Sequence, residues 1–243
     1  MDVTGRVALV TGGAHRVGRA ISTALADAGM RVAVHYNSAA AEAEALVAEL
    51  AAHGSDCRAY RADLSQPHSP GALVAAVTRD YGALDVLINS AAVMLRTPVD
   101  TVTTDEWDAM FALNLRAPFF LAQAARSWLS AANGCIVNLA DLAAFETWPD
   151  YVPHGISKAA VVQMTRALAR AFAPSVRVNA IAPGAVLLPE NWDDASRAHL
   201  VATTPLHRIG SPADVVEAVL YLLRAEYVTG DTLIVDGGRH VRT

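Results

Sequence analysis

The chain is a succession of short apolar runs, each followed by a longer stretch of helical period, and this alternation constrains the fold more than any single residue does. The runs RVALVT (6–11), RVAVHY (31–36), CRAYRA (57–62), LDVLIN (84–89), GCIVNL (134–139), VRVNAI (176–181) and TLIVDG (232–237) read as strands. Most are close to continuously apolar, as strands buried on both faces of a parallel sheet must be, and the intervening stretches supply the crossover helices. The expected class is therefore α/β: a doubly wound parallel sheet of about seven strands with helices on both faces. At 243 residues, 53% of them hydrophobic, the chain suits a single domain spanning 1–243.

Local signals place some helix ends. AAAEAEALVAELAAHG reads as a helix stopped at Gly54, and SPADVVEAVLYLL opens with Ser211 as cap and Pro212 at the first helical position. The stretch from Pro183 to Gly210, which contains Trp192, shows no such pattern and reads as a long loop. It is either a segment that covers a substrate or irregular structure of little consequence, and long ordered loops favour the first.

Composition excludes several functions. A net charge of −5 and a pI near 5.9 give no basic field for phosphates, so no nucleic-acid partner is expected. Cys57 and Cys135 lie in strand-like segments without CxxC spacing and read as buried free thiols. The histidines show no HExxH or related spacing, so no metal is expected. No apolar run approaches a membrane span or a signal peptide, which points to a cytoplasmic protein.

Directly after the first strand comes TGGAHRVG, Thr11 to Gly18, opening a helix. Glycines at such a turn let backbone amides approach a pyrophosphate at the positive end of a helix, which makes Gly12, Arg16, Val17 and Gly18 dinucleotide-binding candidates. A tight turn with no ligand is the alternative reading. Sites that prefer NAD place a carboxylate at the end of the second strand; here that strand ends in His35, Tyr36, Asn37 and Ser38, all neutral. Arg16 can reach a 2′-phosphate, so NADP(H) is the expected cofactor, with a surface ion pair as the plainer role for Arg16.

Only one lysine exists in the chain, Lys158 in HGISK. A compact ammonium on a flexible stem does what a planar guanidinium cannot, so its survival among arginines marks the position, with a chance lysine on a solvated helix face as the plainer reading from composition alone.

Taken in order, TGGAHRVG, Asp63 after the third strand, NSAA (89–92), NLRAPFF (114–120), HGISK (154–158) and VNAIAPG (178–184) resemble the short-chain dehydrogenase/reductase family over essentially the whole chain. Arg16, the HYNS strand end, Asp141 after IVNLA and the tail segment VDGG resemble its pteridine reductase branch. The resemblance implies a Rossmann-type sheet, a nicotinamide nucleotide, a small carbonyl or imine substrate and a homotetramer or homodimer. It implies cofactor contacts at Tyr36, Asn37, Ser38, Asp63, Leu64, Asn89, Ser90, Ala91, Lys158, Pro183 and Gly184, and a catalytic set containing Asn114 and Lys158. The family's serine position holds Asp141, as in the pteridine reductase branch. The tyrosine of YxxxK is replaced by His154, the nearest tyrosine is Tyr151, and the position of a ring-stacking Phe holds Val93. In the branch an arginine near the tail reaches a neighbouring subunit, the place of Arg242 here; a frayed terminus is its plainer reading.

Pro153 opens the helix carrying His154 and Pro174 ends it, so His154 and Lys158 stand one turn apart on one face. Imidazole titrates near 6.5 and phenol near about 10, and a general acid works best near the operating pH. Lys158 disfavours an imidazolium and Asp141, if close, favours it. His154, Tyr151 and Asp141 acting through water thus stand as alternative proton donors. An NADPH-dependent reductase leads, and a nucleotide-binding sensor or scaffold is the second reading.

Overall fold

The computed structural model describes residues 1–188 and 192–241. Seven strands, β1 (Val7–Thr11), β2 (Arg31–Tyr36), β3 (Cys57–Arg61), β4 (Val86–Asn89), β5 (Cys135–Leu139), β6 (Arg177–Pro183) and β7 (Thr232–Val235), form one sheet in the order β3-β2-β1-β4-β5-β6-β7. All neighbours are parallel. The helices are α1 (Arg16–Asp27), α2 (Ala40–Ala52), α3 (Ser69–Tyr81), α4 (Thr104–Phe111), α5 (Ala117–Ala131), α6 (Val152–Phe172), α7 (Asp194–Thr203) and α8 (Pro212–Arg224). This is the Rossmann-type, doubly wound α/β architecture expected.

The strand period of two distributes each strand between two cores. Ala8 and Val10 of β1 join Ile21, Leu25, Leu46, Leu50 and Val219 on one face, while Val7 and Leu9 join Leu73, Val77, Leu121, Leu129 and Leu168 on the other. Leu9, Leu87 and Ile136 are wholly buried, each contributing about 1.5–3 kcal/mol by removal from water.

The ends behave as local chemistry dictates. Gly54 follows α2 at φ +85°, and Ser211 and Asp214 form a reciprocal capping box at the start of α8, with Pro212 in its first turn. Pro153 lies in the first turn of α6, and the helix stops at Phe172 before Pro174. The reading of 183–210 as a loop is corrected: within it Asp194–Thr203 is α7, whose cap Asp193 accepts the Ser196 amide at 2.7 Å. Of this helix only Leu200 is buried, so no apolar stripe marked it in the sequence. Trp192 stands just before it, part-exposed. Arg242 lies outside the described residues.

Strand order reverses between β1 and β4. In open α/β sheets the crevice beyond the carboxyl ends of strands at such a reversal receives the ligand, and the candidate residues collect there.

Candidate active site

At the end of β1 the chain must turn sharply into α1. Gly12 makes the turn at φ +62°, and a Cβ on Gly18 would sit 2.1 Å from the Gly12 carbonyl oxygen, so both positions require glycine. Thr11 Oγ1 accepts the amides of Ser90 (2.9 Å) and Ala91 (3.1 Å), tying this turn to the end of β4. No side chain caps α1, which leaves the amides of its first turn open to an anion. Arg16 is exposed at the mouth of the turn, its guanidinium donating to the Leu187 carbonyl at 3.2 Å, and Val17 packs on the core. Asn37 and Ser38 are exposed beyond β2, and Tyr36 is half-buried against the core.

Other expected cofactor contacts are occupied by the protein itself. The Ser65 hydroxyl and amide hold the Asp63 carboxylate at 2.7 and 3.0 Å and keep its pKa below the usual range. Leu64 is core. Asn89 Nδ2 donates to Asn138 Oδ1 (2.8 Å), and Asn138 Nδ2 to Thr165 Oγ1 (2.9 Å), a buried chain binding β4, β5 and α6; Asn89 Oδ1 is left buried without a partner. Pro183 ends β6, and the Gly184 amide donates to the Val235 carbonyl of β7 at 2.9 Å.

The catalytic candidates meet on the first turns of α6. Lys158 is buried, its Nζ donating to the Leu139 carbonyl at the end of β5 (2.7 Å). Burial pushes its pKa down from 10.5 to about 8, with the Asp141 carboxylate pulling the other way. Asp141 caps a short 3-10 turn, Leu142–Ala144, through Oδ1 and the Ala143 amide (2.8 Å), which leaves Oδ2 3.8 Å from His154 Nε2.

His154 is only 2% exposed. Its Nδ1 lies 3.3 Å from the Val93 carbonyl; a carbonyl only accepts, so that nitrogen carries hydrogen. Nε2 then faces Asp141 and has no hydrogen-bond partner in the protein. The same Val93 peptide is gripped by Asn114, whose Oδ1 accepts the Val93 amide and whose Nδ2 donates to its carbonyl, both at 2.9 Å. Asn114 sits in a π-helical turn, Ala112–Arg116, between α4 and α5; such widened turns often mark functional sites. Its Nδ2 also donates to Ser157 Oγ (3.1 Å). Tyr151 is in a 3-10 turn before α6, its ring edge-on to Trp148 at 6.4 Å.

The structure thus brings Asp141, His154, Lys158 and Asn114 to one place around Val93, with Tyr151 engaged alongside Trp148. Two participants escaped the sequence reading: the Val93 backbone, which holds both Asn114 and His154, and His35, whose ring accepts the Gly12 amide at 3.0 Å. Neither leaves a local signal, because each contact joins segments far apart in the chain. Among the described residues no cluster of acidic, histidine or cysteine side chains could hold a metal, and no helix is long and apolar enough to cross a membrane.

Open helix amides, backbone approaches that a Cβ would block, and a buried ammonium beside an unpartnered imidazole nitrogen fit an anionic nicotinamide dinucleotide. The comparisons with known proteins agree with that chemistry. A family profile described as Enoyl-(Acyl carrier protein) reductase matches residues 12–240. The 3-oxoacyl-acyl-carrier-protein reductase FabG of Staphylococcus aureus is 32% identical, over 96% of this chain and 98% of that protein. D-threitol dehydrogenase of Mycolicibacterium smegmatis is 35% identical over 98% and 94%. Among solved structures, a blue fluorescent protein from a metagenomic library, in complex with NADPH, superposes with a TM-score of 0.92 at 34% identity, over 98% of this chain and 99% of that one. The chain is therefore an oxidoreductase homologue and belongs to the short-chain dehydrogenase/reductase family.

Proposed function

We propose that this protein is an NADP(H)-dependent reductase of a small carbonyl or imine compound in which His154, backed by Asp141, holds the proton that tyrosine holds elsewhere in the family. The observation that carries the reading is the buried, unpartnered Nε2 of His154 at 3.8 Å from Asp141 Oδ2, beside the only lysine.

Arg16 at the mouth of the turn and the neutral residues Tyr36, Asn37 and Ser38 after β2 favour a 2′-phosphate. The open amides of Val17 and Gly18 suit the pyrophosphate, and the backbone around Asp63, Leu64, Asn89, Ser90, Ala91, Pro183 and Gly184 lines the groove between. Lys158 holds the nicotinamide ribose. When bound, the nucleotide supplies a hydride to the electrophilic carbon of the substrate.

The protein manages the proton. With Nδ1–H fixed on Val93, a second proton at Nε2 has the Asp141 carboxylate as counter-ion, and it passes to the substrate oxygen or nitrogen as charge develops there. Asp141 Oδ2 then relays its replacement inward, its side chain being 27% exposed where that of His154 is 3% exposed. Imidazole is shorter than phenol, so one water bridges Nε2 and the substrate atom. Asn114 acts through Val93, fixing the peptide that aims the ring. An imine that is already protonated makes the least demand on this apparatus, which keeps dihydropteridines among the candidate substrates, alongside the oxoacyl and polyol chemistry named for relatives. Solution as a homotetramer or homodimer in the cytoplasm belongs to the same reading.

Depletion of NADPH with a panel of ketones, quinones, oxoacyl thioesters and dihydropteridines tests it. Turnover that His154→Ala lowers by about 10² or more supports it; tight NADPH binding without turnover across the panel overturns it in favour of a nucleotide-binding sensor or scaffold. That second reading draws on the ring's anchorage to Val93, 3.3 Å from its Nδ1.

A further inference from the structure

His35 does something that the proposed reaction does not require of it. Its side chain is buried, on the β2 face shared with Ala33, and bridges two segments of different βα units. Nε2 lies 3.0 Å from the Ala62 carbonyl beyond β3, and Nδ1 lies 3.0 Å from the Gly12 amide in the turn after β1. A carbonyl only accepts and an amide N–H only donates, so Nε2 carries hydrogen and Nδ1 is bare. Of the three states of the ring, only the neutral Nε2–H form satisfies both bonds. The His35 backbone carbonyl meanwhile accepts the Gly13 amide at 2.9 Å. One residue thus takes the amides of both Gly12 and Gly13.

The turn has little freedom to move elsewhere. A Cβ on Gly12 would already meet the Ala91 Cα at 3.1 Å, and Thr11 Oγ1 holds the amides of Ser90 and Ala91.

We propose that His35 is a positioning residue for the dinucleotide site: its bare Nδ1 fixes the Gly12 peptide, and so which amides of the turn remain for the phosphates, and protonation of the ring frees the turn and weakens nucleotide binding. This rests on the cofactor reading given above. The titratable and charged groups of the surrounding elements are His15 and Arg16 in the turn, Arg31 and Tyr36 on β2, Cys57, Arg58, Tyr60 and Arg61 on β3, and Asp63 beyond it; β1 has none. Tyr60 bonds to Asp80, Asp63 to Ser65 and Arg16 to Leu187, and the polar partners of the ring are Gly12 and Ala62. Burial holds its proton affinity below the ordinary histidine value, with the Ala62 carbonyl acting the other way, so release belongs to acid pH.

Calorimetric titration of NADP⁺ into the wild type, His35→Asn and His35→Leu tests the inference. Asparagine keeps an acceptor for Gly12 and does not titrate; leucine offers none and leaves the part-buried amide without a partner. At about pH 8, His35→Leu should bind about tenfold more weakly than wild type and His35→Asn within about threefold. Between about pH 8 and pH 5.5 the wild type should lose affinity relative to His35→Asn, a ratio that cancels titration of the 2′-phosphate itself. A ratio independent of pH, or leucine binding like wild type, overturns the inference while leaving the cofactor reading intact. A wild type that binds no NADP⁺ at all overturns the cofactor reading. Should a variant fold poorly, long-range proton–nitrogen NMR of the wild type decides: one of the eight histidines must stay in the Nε2–H form until acid pH, and an Nδ1–H tautomer in its place is incompatible with the proposal.

Discussion

Two histidines, His35 and His154, are equally buried at 2% exposure, yet the protein treats them differently. Around the glycine turn both ring nitrogens of His35 are used, at 3.0 Å each. At the start of α6 one nitrogen of His154 rests on Val93 and the other is left with only a carboxylate oxygen 3.8 Å away. A buried polar atom without a partner costs about 1–3 kcal/mol, so a fold tolerates it where something else completes the bond. Burial alone therefore does not separate the two rings; the count of satisfied nitrogens does.

The difference can be broken or sharpened by substitution. The largest effect belongs to His154→Ala, expected to lower kcat by about 10² to 10⁴ while NADP⁺ affinity, read by calorimetry, stays within about twofold. A loss of rate below about threefold would erase the distinction between the two rings. His154→Tyr is the converse, since a gain in rate means the slot still accepts a phenol.

Next in size is the charge beside His154. The Lys158 pKa is about 8 in the fold against 10.5 when free, so below pH 8 the ammonium is charged in both states and its burial opposes folding. Between pH 8 and 10.5 the unfolded chain holds the extra proton, and stability should rise with pH by up to about 3 kcal/mol. Urea unfolding of wild type and Lys158→Met across this range checks it: the rise must vanish in the variant. Activity runs the opposite way, falling in the wild type as pH passes about 8 and the ammonium is lost.

Third, the fold should miss His35 more than His154. His35→Ala leaves a part-buried amide and a part-buried carbonyl unpaired and should destabilise by about 2–3 kcal/mol, against about 1 kcal/mol for His154→Ala. Equal losses in urea unfolding would contradict the assignment of roles. The smallest effect is expected of Ser157→Ala, which removes the hydroxyl that accepts from Asn114 and donates to the His154 carbonyl at 2.7 Å. About 1 kcal/mol of stability is at stake there, and Asn114 keeps its grip on Val93.

Much of this molecule is written locally. The strands were legible because burial on both faces demands continuous apolar runs, and the start of α8 because Ser211 and Pro212 satisfy the needs of a helix N-terminus. The turn after β1 showed its glycines, and the spacing of His154 and Lys158 put them on one helical face. Helix α7 stayed hidden because it buries one side chain, and the capping carboxylate of Asp214 was not anticipated.

The sequence by itself determined an α/β chain with a glycine turn, a lone lysine, a histidine in the tyrosine position and an aspartate in the serine position, since each follows from residue identity and period. Only the tertiary structure decided which nitrogens are free: that Lys158 reaches Leu139, that Asn114 and His154 share Val93, and that His35 spans from Gly12 to Ala62. Hydrogen bonds between segments tens of residues apart depend on how the sheet is wound, and the order of strands, not their spelling, brings those atoms together.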